Sequence, residues 1–227
     1  AHSFPTRRSS DLDRLVYGRD PKEGFVRNSV FYHPGLKFRY DFPAGWRILN
    51  QRRVVIGFSP EKKAAIQITL SDRKTLREAA GALVRQQGIR TGRVQEERIN
   101  GIPAAAVPFQ ARAKEGVVQG LAAFFAYGGR IYQIIGYSGV SNWLQYAGDI
   151  RRAMTSFAEL TDPALLAVEP NRLEIVTVDR PVTLQAFYQR FSMPVSLEEI
   201  ARLNQMQPGD RLEAGRLVKI VRGEKIE

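Results

Sequence analysis

The sequence predicts an α+β fold, an antiparallel sheet packed by helices and followed by a small β-α-α-β module. Three observations lead there. Leu36, Phe38, Tyr40 and Phe42 alternate with Lys37, Arg39 and Asp41, the period of a half-buried strand. Two long apolar-rich runs, 102–112 and 117–127, lie close enough in sequence to pair antiparallel. After residue 170 the composition changes, and a strand, two short helices and a second strand follow.

Residues 13–35 read as a joining segment, because Tyr17–Gly24 is rich in turn formers. Phe25–Tyr32 is a candidate strand within it, stopped by His33-Pro34-Gly35. The main domain is expected over 36–160. Pro43-Ala44-Gly45 makes a turn, and Val54–Phe58 and Ala64–Leu70 flank Ser59–Lys63 as a hairpin. Thr75-Leu-Arg-Glu78 has the spacing of a capping box. It opens a helix that Gly88 is placed to close. Val94–Ile99 turns at Asn100-Gly101 into the two long strands, joined near Lys114-Glu115-Gly116. Gly128-Gly129 then leads into Arg130–Ser138, and Asn142–Phe157 has helical spacing. Residues 161–170 are read as a linker. The module over 171–222 has strands Leu173–Val178 and Leu217–Val221. Its helices are Thr183–Phe191 and one opened by the Ser196-x-x-Glu199 capping box. Residues 223–227 are a charged tail.

Composition excludes several chemistries. The chain of 227 residues has no cysteine, so it has no disulfide, thiolate metal site or cysteine nucleophile. It has two histidines, His2 and His33, fewer imidazoles than most catalytic zinc sites use. No apolar run approaches the ~20 residues of a membrane-spanning helix. The net charge is +11, and residues 171–227 hold nine Lys/Arg against eight Asp/Glu, so the excess lies upstream. Such a region can attract nucleic acid, anionic lipid or acidic wall polymer. The basic residues are scattered and form no nucleic-acid motif, so no nucleic-acid partner is expected. His33 reads as a packing residue, Glu96-Glu97 as solvated, and Tyr127, Tyr132, Tyr137, Trp143 and Tyr146 as core.

Residues 2–12, HSFPTRRSSDL, resemble a translated sequencing adapter. Residues 1–12 are accordingly set aside as an artefact, and an upstream portion is expected to be missing.

Three resemblances extend this reading. Val176–Val221, through Thr183-Leu184, Val195–Ile200, Leu203-Asn204 and Ala214-Gly215, resembles LysM, a small domain that binds N-acetylglucosamine polymers. The resemblance places glycan binding on Asp179, Arg180 and Thr183 of the first loop and on Asn204, Gln205, Met206 and Gln207 of the second. Pro181-Val182 and Phe187-Tyr188 depart from its usual Gly-Asp and Ile-Ala. Phe38–Trp46, Asn100–Ala104 and the ending Tyr132…Phe157 resemble the PsbP-like sandwich, a fold of adaptors and assembly factors with no fixed catalytic set. Leu15–Val26, Phe31–Pro34 and Leu36–Arg39 resemble the junction after the peptidase domain of periplasmic zinc metalloproteases related to the CAAX prenyl endopeptidases. That resemblance implies an upstream peptidase domain holding zinc on a His-Glu-x-x-His helix, and a periplasmic location. No His-Glu pair occurs here. The expectation is a non-catalytic C-terminal region that positions substrate or an envelope protein partner, with no cofactor of its own. The alternative is a peptidoglycan-binding module. An intact enzyme is the weakest reading, since the titratable constellation is lacking.

Overall fold

The structure, a computed structural model, describes residues 14–114 and 116–224. The segment read as an artefact, His2, residue 115 of the long hairpin and the last three residues of the charged tail lie outside the described residues. The chain divides into two compact units, Glu23–Leu166 and a second one combining 14–22 with 167–224.

The larger unit begins with the strands β1 (Phe25–Arg27), β2 (Val30–His33) and β3 (Phe38–Asp41), which form an antiparallel meander. A main sheet follows from β4 (Arg47–Gln51), β5 (Val54–Phe58), β6 (Ala64–Leu70), β7 (Ile89–Thr91), β8 (Gln95–Ile99), β9 (Ile102–Ala113), β10 (Gly116–Tyr127) and β11 (Arg130–Gly139). Its order is β4-β5-β6-β11-β10-β9-β7, with β8 also on β9. The strand β12 (Ala158–Glu159) returns to β3. Helix α1 (Leu76–Val84) follows β6, and helix α2 (Trp143–Met154) follows β11.

Alternation along β10 and β11 explains the layers. Leu121, Ala123, Phe125, Tyr132 and Ile134 face one core with α2 and the β1–β3 meander. Ala122, Phe124, Ile131 and Ile135 face a second core with α1. Successive strand residues point to opposite faces, so one sheet buries both sides, and burying each large apolar side chain contributes about 1.5–3 kcal/mol. On the α2 side Phe38 stacks on Phe157 at 5.2 Å, and Phe157 meets Phe125 at 4.5 Å.

The turns follow from sequence. Asn100 (φ 49°) and Gly101 (φ 79°) join β8 to β9, with Ile99 opposite Ile102. This two-residue hairpin needs positive φ at both positions, which Asn-Gly supplies. The Asn100 amide also donates to the carbonyls of Thr155 and Phe157, both at 2.9 Å, pinning the chain that leaves α2. Gly120 has no room for a side chain, since a Cβ there would lie 2.5 Å from the Gly136 carbonyl oxygen.

Within the segment read as joining, the candidate strand over Phe25–Tyr32 is a hairpin, β1 turning at Asn28-Ser29 into β2, with Phe31 fully buried. Residues 14–17 instead lie along the smaller unit, and the helix α3 (Pro163–Leu166) occupies part of the stretch read as a linker.

The smaller unit has the strands β13 (Arg172–Thr177), β14 (Val182–Thr183), β15 (Arg211–Leu212) and β16 (Leu217–Arg222), with helices α4 (Leu184–Tyr188) and α5 (Leu197–Leu203). β13 pairs antiparallel with β16, and β14 with β15. Leu184, Phe187, Ile200, Leu212, Val218 and Ile220 form its core. Residues 14–17 extend the β13 edge. Arg14 donates to the Leu173 carbonyl at 2.7 Å, Leu173 to Leu15 at 2.8 Å, and Tyr17 to Asn171 at 2.7 Å. Arg222, at the threshold of the predicted tail, ends β16, pairs with Glu174 at 2.7 Å and lies 4.9 Å over the Phe191 ring.

Candidate functional site

The seven residues singled out from sequence fall into two groups in the smaller unit. Their loops are held together by the short β14–β15 pairing, with Thr183 opposite Arg211. Leu184 and Gln185 add backbone bonds to Asp210 and Pro208, at 2.9 and 3.0 Å.

Three of the seven have structural work. Thr183 caps α4, its hydroxyl accepting from the Ala186 amide at 3.2 Å. Asp179 accepts from the Arg180 amide at 2.9 Å and pairs with Arg190 at 3.0 Å. The Arg190 guanidinium holds its carboxyl below the usual carboxylate range. Arg180 is exposed in the same turn. Asn204 is a brace. Its amide donates to the carbonyls of Ile200 and Lys219 at 2.9 and 2.8 Å, and its carbonyl accepts from the Lys219 amide at 2.8 Å. A side chain so engaged has little left for a ligand.

The remaining three come together. Gln205, Met206 and Gln207 line a depression of about 460 Å³, with Glu198, Arg202 and Asp210. Gln205 adopts φ 56° just past α5, which turns the loop back over the helix. The Met206 amide returns to Ala201 at 2.9 Å, and Asp210 accepts from the Gln207 amide at 2.8 Å. Glu198 lies in the first turn of α5, where its own amide and the Ser196 hydroxyl hold its carboxyl below the usual range. The rim thus offers two carboxylates, two amides and a guanidinium, donors and acceptors around an apolar thioether. Sequence reasoning missed Glu198, Arg202 and Asp210; their helical and turn spacing relative to 205–207 was the available signal.

No catalytic zinc finds a donor set among the described residues, where no group of three His, Cys, Asp or Glu is placed to hold a metal ion. His33 is a packing residue with a hydrogen bond. Its Nδ1 accepts from the Leu36 amide at 3.1 Å, its ring lies 5.4 Å from Phe38, and burial pushes the imidazole below its ordinary value. No described helix is long and apolar enough to cross a membrane. Of the aromatic set, Tyr132, Trp143 and Tyr146 are buried, whereas Tyr127 and Tyr137 are half-buried.

No family model matches the chain, and no curated protein matches it. Among known structures it is similar to the cyanobacterial PsbP protein (CyanoP) of Synechocystis. The identity is 12%, over 59% of this chain and 94% of that one, with a TM-score of 0.44. It is similar to LpqN of Mycobacterium tuberculosis, a protein involved in cell envelope biogenesis, at 13% identity over 55% and 83%, TM-score 0.44. A protein from Bacteroides thetaiotaomicron is similar at 10% identity over 88% of each chain, TM-score 0.45. These are distant likenesses of shape and carry no statement about ligand or chemistry.

Proposed function

We propose that this chain is a binding region without catalysis of its own, and that its smaller unit docks on an N-acetylated amino-sugar polymer of the cell envelope. The observation that carries the reading is the depression at Gln205–Gln207, where amides, carboxylates and a guanidinium surround Met206. Sugar hydroxyls both donate and accept, and an acetamido methyl needs a small apolar contact, so this mixture suits such a ligand. The succession β13, α4, α5, β16 supports the LysM-like reading of Val176–Val221. Two-sided burial of the main sheet supports a PsbP-like sandwich in the larger unit.

In this reading the chain belongs to an extracytoplasmic zinc metalloprotease, on the resemblance of Leu15–Arg39, and serves to position substrate or partner. Peptide-bond hydrolysis falls to a peptidase domain outside this sequence. Co-sedimentation with insoluble peptidoglycan tests the docking. Chelator-sensitive hydrolysis of casein by this chain would contradict the division of labour.

A further inference from the structure

Helix α1 is nine residues long and packs over β7, β9 and β10. It leaves part of its sheet face uncovered. The result is a cleft of about 700 Å³, within the ~300–1,000 Å³ common for ligand sites. Its floor carries Phe109, Val118, Ile135 and Tyr137, with the amides of Gln67 and Gln133 on the β6–β11 side. A smaller hollow of about 450 Å³ lies at the β7–β9 edge and shares Ile89, Ala111 and Arg112 with its lining.

We propose that this cleft binds a short extended peptide segment with alternating acidic and apolar side chains. Three features select that occupant. The first is length. The floor crosses β6, β11, β10 and β9 in that order. Strands about 4.8 Å apart make this about 14 Å, which an extended chain covers in four to five residues at about 3.3 Å each. The second is hydrogen bonding. Gln67 Nε2 donates to the Tyr137 hydroxyl at 3.1 Å, which leaves the Tyr137 proton for an outside acceptor. The Gln67 and Gln133 amides can each donate and accept, as a peptide backbone requires. The third is charge. Arg73 stands at one end of the lane and Arg112 at the other. Lys74 and Arg77, at the start of α1, and Arg85, at its end, are exposed, while Asp72 is paired with Arg73 and Glu78 accepts from the Lys74 amide. An extended peptide presents alternate side chains to opposite sides. One set fits the apolar floor, and the other meets the basic rim.

The test is fluorescence anisotropy of the whole chain with the fluorescein-labelled hexapeptide Glu-Leu-Glu-Leu-Glu-Leu, its Lys-Leu counterpart and a chitin hexamer as competitor. The acidic peptide binds, the basic one binds at least about tenfold more weakly, and added salt weakens the acidic complex. Arg73→Gln with Arg112→Gln lowers affinity about tenfold with an unchanged thermal midpoint, because both side chains are exposed. Val118→Asp on the floor also lowers it. No binding of the acidic peptide at millimolar concentration overturns the proposal. So does equal binding of both peptides, indifference to the arginine pair, or displacement by the chitin hexamer. The glycan site of the smaller unit shares no residue with this cleft, so either proposal can fail alone.

Discussion

Asn204 and Lys219 exchange two hydrogen bonds of 2.8 Å each, side-chain carbonyl to backbone amide and side-chain amide to backbone carbonyl. A third bond ties the same side chain to Ile200. One residue thereby locks the end of α5 to β16 and fixes the loop that begins at Gln205. Asn204→Ala leaves backbone groups of a half-buried strand without their partner, a loss of about 2 kcal/mol. Urea unfolding of the smaller unit is expected to shift accordingly. Peptidoglycan binding by the fraction still folded should be retained. A stability-neutral variant that abolishes binding would instead make Asn204 a ligand contact.

Tyr17 makes a different long-range tie. Its hydroxyl donates to Glu199, and burial, followed by the Glu199 carboxylate, raises its pKa. With the backbone bonds of Arg14 and Leu173 it fastens residues 14–17 along β13. Tyr17→Phe is expected to cost about 1 kcal/mol in the smaller unit. Hydrogen exchange at the Leu173 amide should quicken. Unchanged exchange would mean that the backbone pairing holds the edge without the side chain.

How much of this was readable from sequence depends on the kind of interaction. Strand alternation and the Asn100-Gly101 turn are local patterns, and they place β3, β5, β6, β9, β10 and β11 closely. The capping boxes were half readable. Thr75 and Ser196 do accept from the amides three residues on. Glu78, however, reaches the Lys74 amide rather than that of Thr75, and Glu199 engages Tyr17 across 182 positions. The pairing of 14–17 with β13 uses backbone groups that every sequence has, so no residue pattern announces it. Asn204 lies where a sugar-binding loop was expected, but only Lys219, brought up by β16, reveals its task. The α1 cleft was hidden for the same reason: which strands a nine-residue helix leaves bare is a matter of sheet order.

Acid should loosen the larger unit through His33. Burial lowers its folded-state pKa, and Nδ1 must be unprotonated to accept from Leu36. The unfolded chain takes up the proton near pH 6.5, before the folded one does. This contribution is therefore present above about pH 6.5 and lost as pH falls through the folded-state value. Denaturant midpoints at pH 7.5 and pH 5 should differ in the native protein and less in His33→Phe. An equal difference in both would assign the acid sensitivity elsewhere.

Tyr40 governs the alkaline side. It is fully buried, its hydroxyl has no hydrogen-bond partner among the described residues, and burial, then Asp41, holds its pKa well above the ordinary value. The unfolded tyrosine ionises near pH 10. Its share of stability is thus complete below that pH and falls as pH rises toward the folded-state value. Tyr40→Phe removes an orphaned hydroxyl, so it should raise stability at neutral pH by about 1 kcal/mol. It should also reduce the alkaline loss, seen in thermal midpoints at pH 8 and pH 11. A destabilised Phe variant would reveal a hydrogen bond to that hydroxyl.

The proposed docking is tested most directly by sedimenting the whole chain with purified insoluble peptidoglycan. The native protein should pellet with the polymer, and Gln205→Ala combined with Gln207→Ala should leave most of it in the supernatant at an unchanged thermal midpoint. Native protein that stays in solution, or a double variant that pellets equally well, would contradict the assignment of the Gln205–Gln207 depression to glycan.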